Sequence, residues 1–319
     1  MIEQVYDGSL EGLYEILEAV FQGGPLPDRI RRLPGSGFRG IAYPEPAERY
    51  PGICRGEIFP ASPVQPELFE EFSPAPIPAI PRPSGFSPAP EPEGEEGSPA
   101  VLPGLLFEVS ADASGAFIHA WMSELPVEGE IIRFGWRVLS AARDAGAGNP
   151  LGIFSAAARN AAGRISADRG DRGTEAVLKA AYKTSREIHR LLGLLRFSRD
   201  QQGRYLARCA PDHFILPALA AHFTRRFGSD GWAIIDERRG LTLLRMPGEE
   251  PRILPAEIRS PPDPGEAPGE TPWEELWRNY HRSINNGDRK NPALQRQFMP
   301  ARYWRYLPEM NFGGRDFLL

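Results

Sequence analysis

The sequence predicts an α+β protein in which a small antiparallel sheet is flanked by helices. Helical patterns of apolar residues alternate with short β-prone runs, and Gly and Pro separate them. Hydrophobic residues make up 41% of the chain, which is enough for a buried core. Because no run of about 18 apolar residues or secretion signal is present, we expect no membrane partner and a cytoplasmic location.

Composition divides the 319 residues into three regions. Residues 1–43 are expected to form the N-terminal part of the globular domain, with a strand at Gln4-Val5-Tyr6 and a helix capped by Ser9. Residues 44–103 hold 16 of the 34 prolines, and an acidic run follows residue 90, so we predict a mobile insert over 44–104. Residues 105–319 form the predicted main α+β domain, with basic and aromatic helices at its C-terminus.

The main domain contains a series of predicted helices and strands. A short apolar run at residues 105–109 is interpreted as a strand. The expected helices lie at residues 116–121, 130–142, 151–164 and 174–192, around Pro217, and from Pro272 onward. Two hairpins are expected, 194–198 with 205–209 and 232–235 with 241–245, and a proline-rich connection is expected over 246–270. Asn291-Pro292 and Pro300 predict two further short helical turns.

Charge is distributed unevenly along the chain, although the net charge is only −5. Residues 1–100 carry 7 Lys/Arg against 16 Asp/Glu, whereas residues 164–226 carry 13 against 6. Residues 272–306 carry 7 against 3. This segregation indicates one surface for an anionic partner and an acidic segment elsewhere, and it argues against a wholly basic, histone-like protein.

The helix predicted at 174–192 carries four cations on the side opposite its apolar face. Lys179, Lys183, Arg186 and Arg190 fall within about 60° of one another at about 100° per residue. Such a stripe is typical of a helix that follows nucleic-acid phosphates. A solvated helix face without a ligand is the alternative.

The segment 289–306 alternates cations with aromatic and amide side chains. Its candidate nucleic-acid contacts are Arg289, Lys290, Gln295, Arg296, Gln297, Arg302, Trp304 and Arg305. Arg and Lys hold phosphates, aromatic rings stack on unpaired bases, and Gln contacts base edges. In the alternative interpretation, Phe298, Trp304 and Tyr306 pack on the helix that begins at Pro272, and the cations face solvent.

No catalytic constellation is recognisable in the sequence. The candidates for a chemical role are three: Asp212, His213, which follows it at a strand-to-helix corner, and Asp236. We expect neither a metal nor a cofactor, since two cysteines give no zinc or iron–sulfur spacing. The Gly-x-Gly-x-x-Gly at residues 35–40 is interpreted as a loop, because no strand precedes it and no helix follows it.

The C-terminal segment resembles the signature of a bacterial family assigned to DNA repair or DNA metabolism. The similarity is carried by Arg289-Lys290-Asn291-Pro292, the run from Leu294 to Pro300, Arg302-Tyr303-Trp304 and Leu307-Pro308-Glu309. It extends to earlier stretches: Tyr6-Asp7-Gly8-Ser9, Arg186-Glu187, Leu195-Arg196-Phe197, Pro211-Asp212-His213, Leu216-Pro217 and Trp232-Ala233-Ile234-Ile235-Asp236. Most of the chain outside 30–104 and 246–270 is covered.

The resemblance implies a context and no reaction. The family's domain of unknown function occurs fused behind uracil-DNA glycosylase-like domains and accompanies a radical SAM protein of DNA modification or repair. It therefore implies DNA, that radical SAM protein and a glycosylase-like protein as partners. We expect an accessory DNA-binding protein that acts with the radical SAM enzyme. The alternatives are an enzyme acting on a damaged base or nucleotide, and a protein–protein adaptor without DNA contact.

Overall fold

The computed structural model describes residues 2–32, 101–146, 155–199, 204–256, 272–286 and 289–310. Within these ranges helices and strands are mixed, and the predicted α+β class is confirmed. The insert predicted at 44–104 lies outside the described residues up to residue 100, and so does the Gly-x-Gly-x-x-Gly run.

The N-terminal unit is a strand, a helix and a second strand. Strand β1 (Glu3–Tyr6) pairs in parallel with β2 (Arg29–Arg32), and helix α1 (Leu10–Phe21) connects them. As predicted, Ser9 caps α1, because its Oγ accepts a hydrogen bond from the backbone N–H of Gly12 at 2.9 Å. The apolar face of α1 is buried in the common core, so this unit is part of the main fold.

Five further helices form the helical layer: α2 (Val101–Val109), α3 (Ala111–Met122), α4 (Glu128–Ala145), α5 (Ala156–Ser166) and α6 (Arg172–Leu194). Helix α3 is central, since every residue from Ala113 to Met122 is buried. It packs against α6, while α4 packs against α5 and α1. The helix predicted over 151–164 begins at Ala156.

The strand predicted at residues 105–109 is wrong, because these residues lie within α2. Leu106 and Val109 are three residues apart and both buried, which is the spacing of one helix face. A five-residue apolar run has no period that separates strand from helix. Helix α2 begins at Val101, so the last residues assigned to the insert are helical.

The second sheet has five strands in the order β3 (Ser198–Arg199), β4 (Tyr205–Cys209), β5 (Trp232–Asp236), β6 (Leu241–Arg245) and β7 (Arg252–Pro255). Its pairs are antiparallel as predicted, except that β4 and β5 are parallel. Helix α7 (Leu216–Phe227) connects β4 to β5, as a parallel pair requires.

Two strand boundaries differ from the predictions. Helix α6 extends to Leu194, so only Ser198 of the predicted strand at 194–198 is in a strand. Strand β7 lies inside the predicted connection 246–270, the remainder of which is outside the described residues from 257 onward. Pro255 is tolerated because β7 is at the end of the sheet order, where a missing N–H breaks no ladder.

The C-terminal part contains helices α8 (Pro272–Ile284) and α9 (Pro292–Phe298), followed by 3₁₀ helices at Ala301–Tyr306 and Pro308–Met310. The predicted start of α8 at Pro272 and the turns after Asn291 and Pro300 are confirmed. Tyr303 attaches this part to the common core.

The buried imidazole of His119 on α3 makes stability depend on pH. Burial lowers the pKa of His119 to about 4 from its ordinary 6.5. Between pH 6.5 and 4 the unfolded chain binds a proton that the folded chain lacks, so this residue lowers stability as pH falls. By linkage, a pKa shift of this size lowers the free energy of unfolding by about 3 kcal/mol once the pH is below both pKa values.

Replacing His119 with Leu is expected to make the free energy of unfolding depend less on pH. Urea unfolding of the wild type and of His119→Leu, measured from pH 7 to pH 4, tests this expectation. The variant should lose less free energy of unfolding over this range than the wild type. His189→Gln is the control, because His189 is exposed. Equal slopes for His119→Leu and the wild type would contradict the prediction.

Candidate nucleic-acid interface

The basic stripe on α6 lies on the side of the helix away from the core. The helix begins after Asp171, whose Oδ2 accepts a hydrogen bond from the backbone N–H of Thr174 at 2.8 Å. Its apolar face is buried. Of the four predicted cations, three are exposed and Arg190 is half-buried; the exposed ones are Lys179, Lys183 and Arg186.

The four cations of the stripe differ in their contacts. Lys179 Nζ is 2.8 Å from Glu175 Oε1, so part of its charge is neutralised. The guanidinium of Arg186 lies over the ring of Tyr182, 5.6 Å from its centroid, and keeps its charge. Lys183 and Arg190 form no ion pair with any described residue. The stripe therefore presents three unneutralised cations.

The residues around α9 are also exposed. Asn291 begins the helix, because its Oδ1 accepts from the backbone N–H of Leu294 at 3.0 Å. The predicted contact residues here all face solvent, and they are Arg289, Lys290, Gln295, Arg296 and Gln297. The three cations among them have no ion pair with the part of the chain that the structure describes. Gln295 Nε2 is 3.7 Å from Met310 Sδ.

The 3₁₀ helix at Ala301–Tyr306 is attached by Tyr303, which is buried. Trp304 is half-buried, and its Nε1 donates to the carbonyl of Met299 at 2.8 Å. Phe298 is exposed, so it does not pack as the alternative interpretation of this segment required. Tyr306 is half-buried and its hydroxyl donates to Glu237 Oε2 at 2.8 Å. The sequence did not single out Tyr303, the ring that does reach the core.

Arg302 and Arg305 of this 3₁₀ helix are predicted contact residues that form ion pairs inside the protein. Arg302 Nη1 is 2.7 Å from Asp212 Oδ2, and its Nη2 is 3.2 Å from Glu187 Oε1. Arg305 Nη2 is 3.4 Å from Glu237 Oε2. Both arginines therefore hold the segment on the domain, and less of their charge is available to a ligand.

Glu187 on α6 joins the two basic segments. Its carboxylate is buried and accepts from the Tyr303 hydroxyl at 2.5 Å and from Arg302. It also accepts from the backbone N–H groups of Asp212 at 2.9 Å and His213 at 2.8 Å. Burial and the hydrogen bond to this carboxylate raise the pKa of Tyr303, so the phenol stays protonated.

Sequence reasoning missed the role of Glu187, although a signal was present. It is an isolated acidic residue beside a basic stripe, and it borders the apolar face that includes Ile188 and Leu191. Burying a carboxylate in that position is costly unless hydrogen-bonding partners satisfy it, so the position indicates that such partners exist. Its side-chain partners, Arg302 and Tyr303, are 115 and 116 residues away in sequence, so no local pattern identifies them.

Arg239 organises a second buried network beside the first. Its Nε and Nη2 donate to the carboxylate of Glu124 at 2.9 and 2.7 Å, and its Nη1 donates to Asp236 Oδ2 at 2.8 Å. It also donates to the carbonyls of Pro211 and Asp212 at 3.0 and 2.8 Å. Arg239 thus fixes the turn after β5 to the loop after β4, and sequence reasoning did not identify it.

The three residues suggested for a chemical role lie around these networks. Asp212 pairs with Arg302 and Arg238, and His213 Nδ1 is 2.6 Å from the carbonyl of Ser123. Asp236 is fully buried and accepts from the backbone N–H groups of the following turn. Burial raises the pKa of Asp236, against the influence of Arg239. These contacts explain the three residues as supports of the loop and turn.

The described residues form an α+β protein with cations on the outer side of α6 and around α9, and the buried carboxylate of Glu187 joins α6 to the 3₁₀ helix that follows α9. Residues 153–309 match the family model described as a domain of unknown function, DUF4130, so the chain contains this domain. Searches of curated proteins and of solved structures gave no match. The matched range includes both basic segments and the Glu187 network, and of the Arg239 network it includes every member except Glu124.

Two further properties bear on the site. Among the described residues, His, Cys, Asp and Glu side chains nowhere gather in threes as a metal ion would require. Within the same ranges, each helix is too short or too polar to span a bilayer.

Proposed function

We propose that this chain is an accessory DNA-binding protein that acts with a partner enzyme of DNA repair or modification. The observation that carries the proposal is a set of exposed or half-buried cations on α6 and around α9 that have no carboxylate partner among the described residues. The set consists of Lys183, Arg186, Arg190, Arg289, Lys290 and Arg296. Each cation that neutralises a phosphate releases a counterion, which adds salt-sensitive affinity.

In this proposal the two groups of cations form one surface, which is supported by the buried Glu187, since it joins α6 to the 3₁₀ helix that follows α9. Arg302, a few residues after α9, contacts Glu187, which lies between Arg186 and Arg190 on α6. Lys179, Arg302 and Arg305 already have carboxylate partners and are expected to add less affinity. Gln295 and Gln297 are exposed amides beside the cations and supply donors and acceptors for base edges.

The partner in this proposal comes from the resemblance of the C-terminal segment. That resemblance associates such domains with a radical SAM protein and with uracil-DNA glycosylase-like domains. We propose that the chain holds DNA for the radical SAM enzyme. The alternative of an enzyme acting on a damaged base has less support, because Asp212, His213 and Asp236 are engaged in structural contacts.

Removing charge from either basic segment is expected to weaken DNA binding. The test compares two triple variants by fluorescence anisotropy with labelled DNA. One is Lys183→Gln/Arg186→Gln/Arg190→Gln and the other is Arg289→Gln/Lys290→Gln/Arg296→Gln. Each should lower affinity at least tenfold at low salt and reduce the salt slope by about 2.

The control removes the same charge elsewhere. Arg29→Gln/Arg164→Gln/Arg169→Gln changes exposed arginines on β2, α5 and the following loop. Its affinity should stay within twofold of the wild type. If this control weakens binding as much as the test variants, binding follows net charge and not this surface. If the unmodified chain binds no DNA at low salt, the adaptor alternative replaces the proposal.

A further inference from the structure

Two helices near the C-terminus present apolar side chains to solvent. On α8 the exposed fractions are 58% for Leu276, 38% for Trp277, 52% for Tyr280 and 60% for Ile284. At about 100° per residue these four fall within about 100° of the helix circumference. In the alternative interpretation of the sequence, aromatic residues of the C-terminal segment pack on this helix. The part of the chain that the structure describes leaves these four side chains exposed.

The second helix, α9, adds Phe298, which is 60% exposed, to the same region. Trp277 Nε1 donates to Glu309 Oε2 at 2.9 Å, and Gln295 Nε2 approaches Met310 Sδ. Glu309 and Met310 are consecutive, so α8 and α9 border the same turn. Both helices that carry exposed rings therefore contact one short 3₁₀ helix.

Two charged side chains, Arg196 and Glu309, contact the Trp277 ring on its protein side. The guanidinium of Arg196 lies over the Trp277 ring, 5.1 Å from its centroid, and pairs with the buried Glu309 at 2.6 Å. The ring of Tyr280 is 5.8 Å from that of Trp277. Arg196 and Glu309 thus hold Trp277 in position while part of its ring remains exposed.

The charge around the rings favours an anionic occupant. Arg289, Lys290 and Arg296 are exposed between and beside the two helices and have no ion pair with a described residue. Glu309 is neutralised by Arg196. Glu275 is exposed on α8, but at about 100° per residue it lies roughly opposite the centre of the apolar face. Aromatic rings among unneutralised cations are the combination that binds single-stranded nucleic acid.

We infer that this surface binds unpaired DNA bases, which stack on Tyr280, Phe298 and the exposed part of Trp277 while the neighbouring cations hold the phosphates. The inference depends on the proposed function, because it names the form of DNA that the basic surface takes. Stacking tolerates any base, so the surface selects single strands over duplex without selecting sequence.

The test distinguishes base stacking on the rings from phosphate binding by the cations and from docking on the aliphatic side chains. Tyr280→Ala/Phe298→Ala removes two exposed rings and no cation. Leu276→Ala/Ile284→Ala removes two equally exposed aliphatic side chains from the same face and is the matched control. Affinities for a 15-nucleotide single strand and for a duplex of the same length are measured in the full chain by fluorescence anisotropy.

The ring variant should bind the single strand roughly tenfold more weakly for each ring removed, while its duplex affinity changes less than twofold. The aliphatic variant should bind both as the wild type does. If the wild type binds DNA and the ring variant binds the single strand equally well, the inference fails and the proposed function stands. If the wild type binds neither DNA, both fail.

A protein occupant would give a different pattern. A second copy of the chain or another protein on this face would need Leu276 and Ile284 as much as the rings. Self-association measured by analytical ultracentrifugation, weakened by the aliphatic variant, together with unchanged single-strand affinity of the ring variant, would overturn the inference in favour of a protein interface.

Discussion

Glu187→Ala is expected to lower the free energy of unfolding by about 3–5 kcal/mol. The carboxylate is 2% exposed and accepts hydrogen bonds from Tyr303, Arg302 and two backbone N–H groups. Its removal leaves the buried Tyr303 hydroxyl and the backbone N–H groups of Asp212 and His213 without this acceptor, whereas Arg302 keeps Asp212. The loss also detaches the 3₁₀ helix from α6, since Tyr303 is its buried anchor.

Urea unfolding measures this effect, with Glu175→Ala as the control on the same helix. Glu175 pairs with Lys179 at the surface, and an exposed pair of this kind contributes little. The control should therefore unfold at the same urea concentration as the wild type. If Glu187→Ala does not fold, Glu187→Gln replaces it, because the amide keeps the shape and one acceptor oxygen. The urea midpoint of Glu187→Gln should lie below that of Glu175→Ala. A Glu187→Ala midpoint equal to that of the control would show that the network does not stabilise the fold.

Arg239→Met is expected to destabilise the protein by a similar amount, about 3–5 kcal/mol. The Arg239 side chain is 9% exposed and pairs with Asp236, whose side chain is fully buried. Without Arg239 that carboxylate has no compensating charge at neutral pH. The carbonyls of Pro211 and Asp212 lose their donor as well.

Arg239→Met should also change how the free energy of unfolding depends on pH. Burial raises the pKa of Asp236 and Arg239 opposes this, so removing Arg239 raises the pKa further. A group with a raised folded pKa stabilises the fold below its unfolded pKa and loses that contribution as pH rises. The difference in the free energy of unfolding between Arg239→Met and the wild type should therefore become smaller from pH 7 towards pH 4. Arg238→Met is the control, because Arg238 is exposed and pairs only with Asp212 among the carboxylates described. A difference that is independent of pH would contradict the role of Asp236.

The helix ends were predictable because their signals are local. Ser9 and Asn291 each bond a backbone N–H three residues later, and Pro217 lies in the first turn of α7. Residues 105–109 were mistaken for a strand because an apolar run without a period fits both structures. The parallel pairing of β4 with β5 is the arrangement expected when a helix connects two strands, but each of these strands was predicted only as part of a hairpin with its other neighbour.

The candidate surface was predictable in part. The period of 3.6 residues correctly separates the basic side of α6 from its apolar face, so the exposure of Lys183 and Arg186 follows from the sequence. The pairing of Arg302 with Glu187 and Asp212 does not follow, because these partners meet only in the tertiary fold. The alternation of cations and aromatic residues was visible, but which rings stay exposed depends on what covers them.

The most direct test of the DNA-binding proposal is the salt dependence of single-strand binding by the unmodified chain. Six cations on phosphates predict that the logarithm of the association constant falls with the logarithm of the salt concentration with a slope of about −4. Fluorescence anisotropy with a 15-nucleotide single strand across a salt series gives this slope. A slope near this value would support binding through the six cations. The absence of binding at low salt, or a slope near zero, would contradict the proposal.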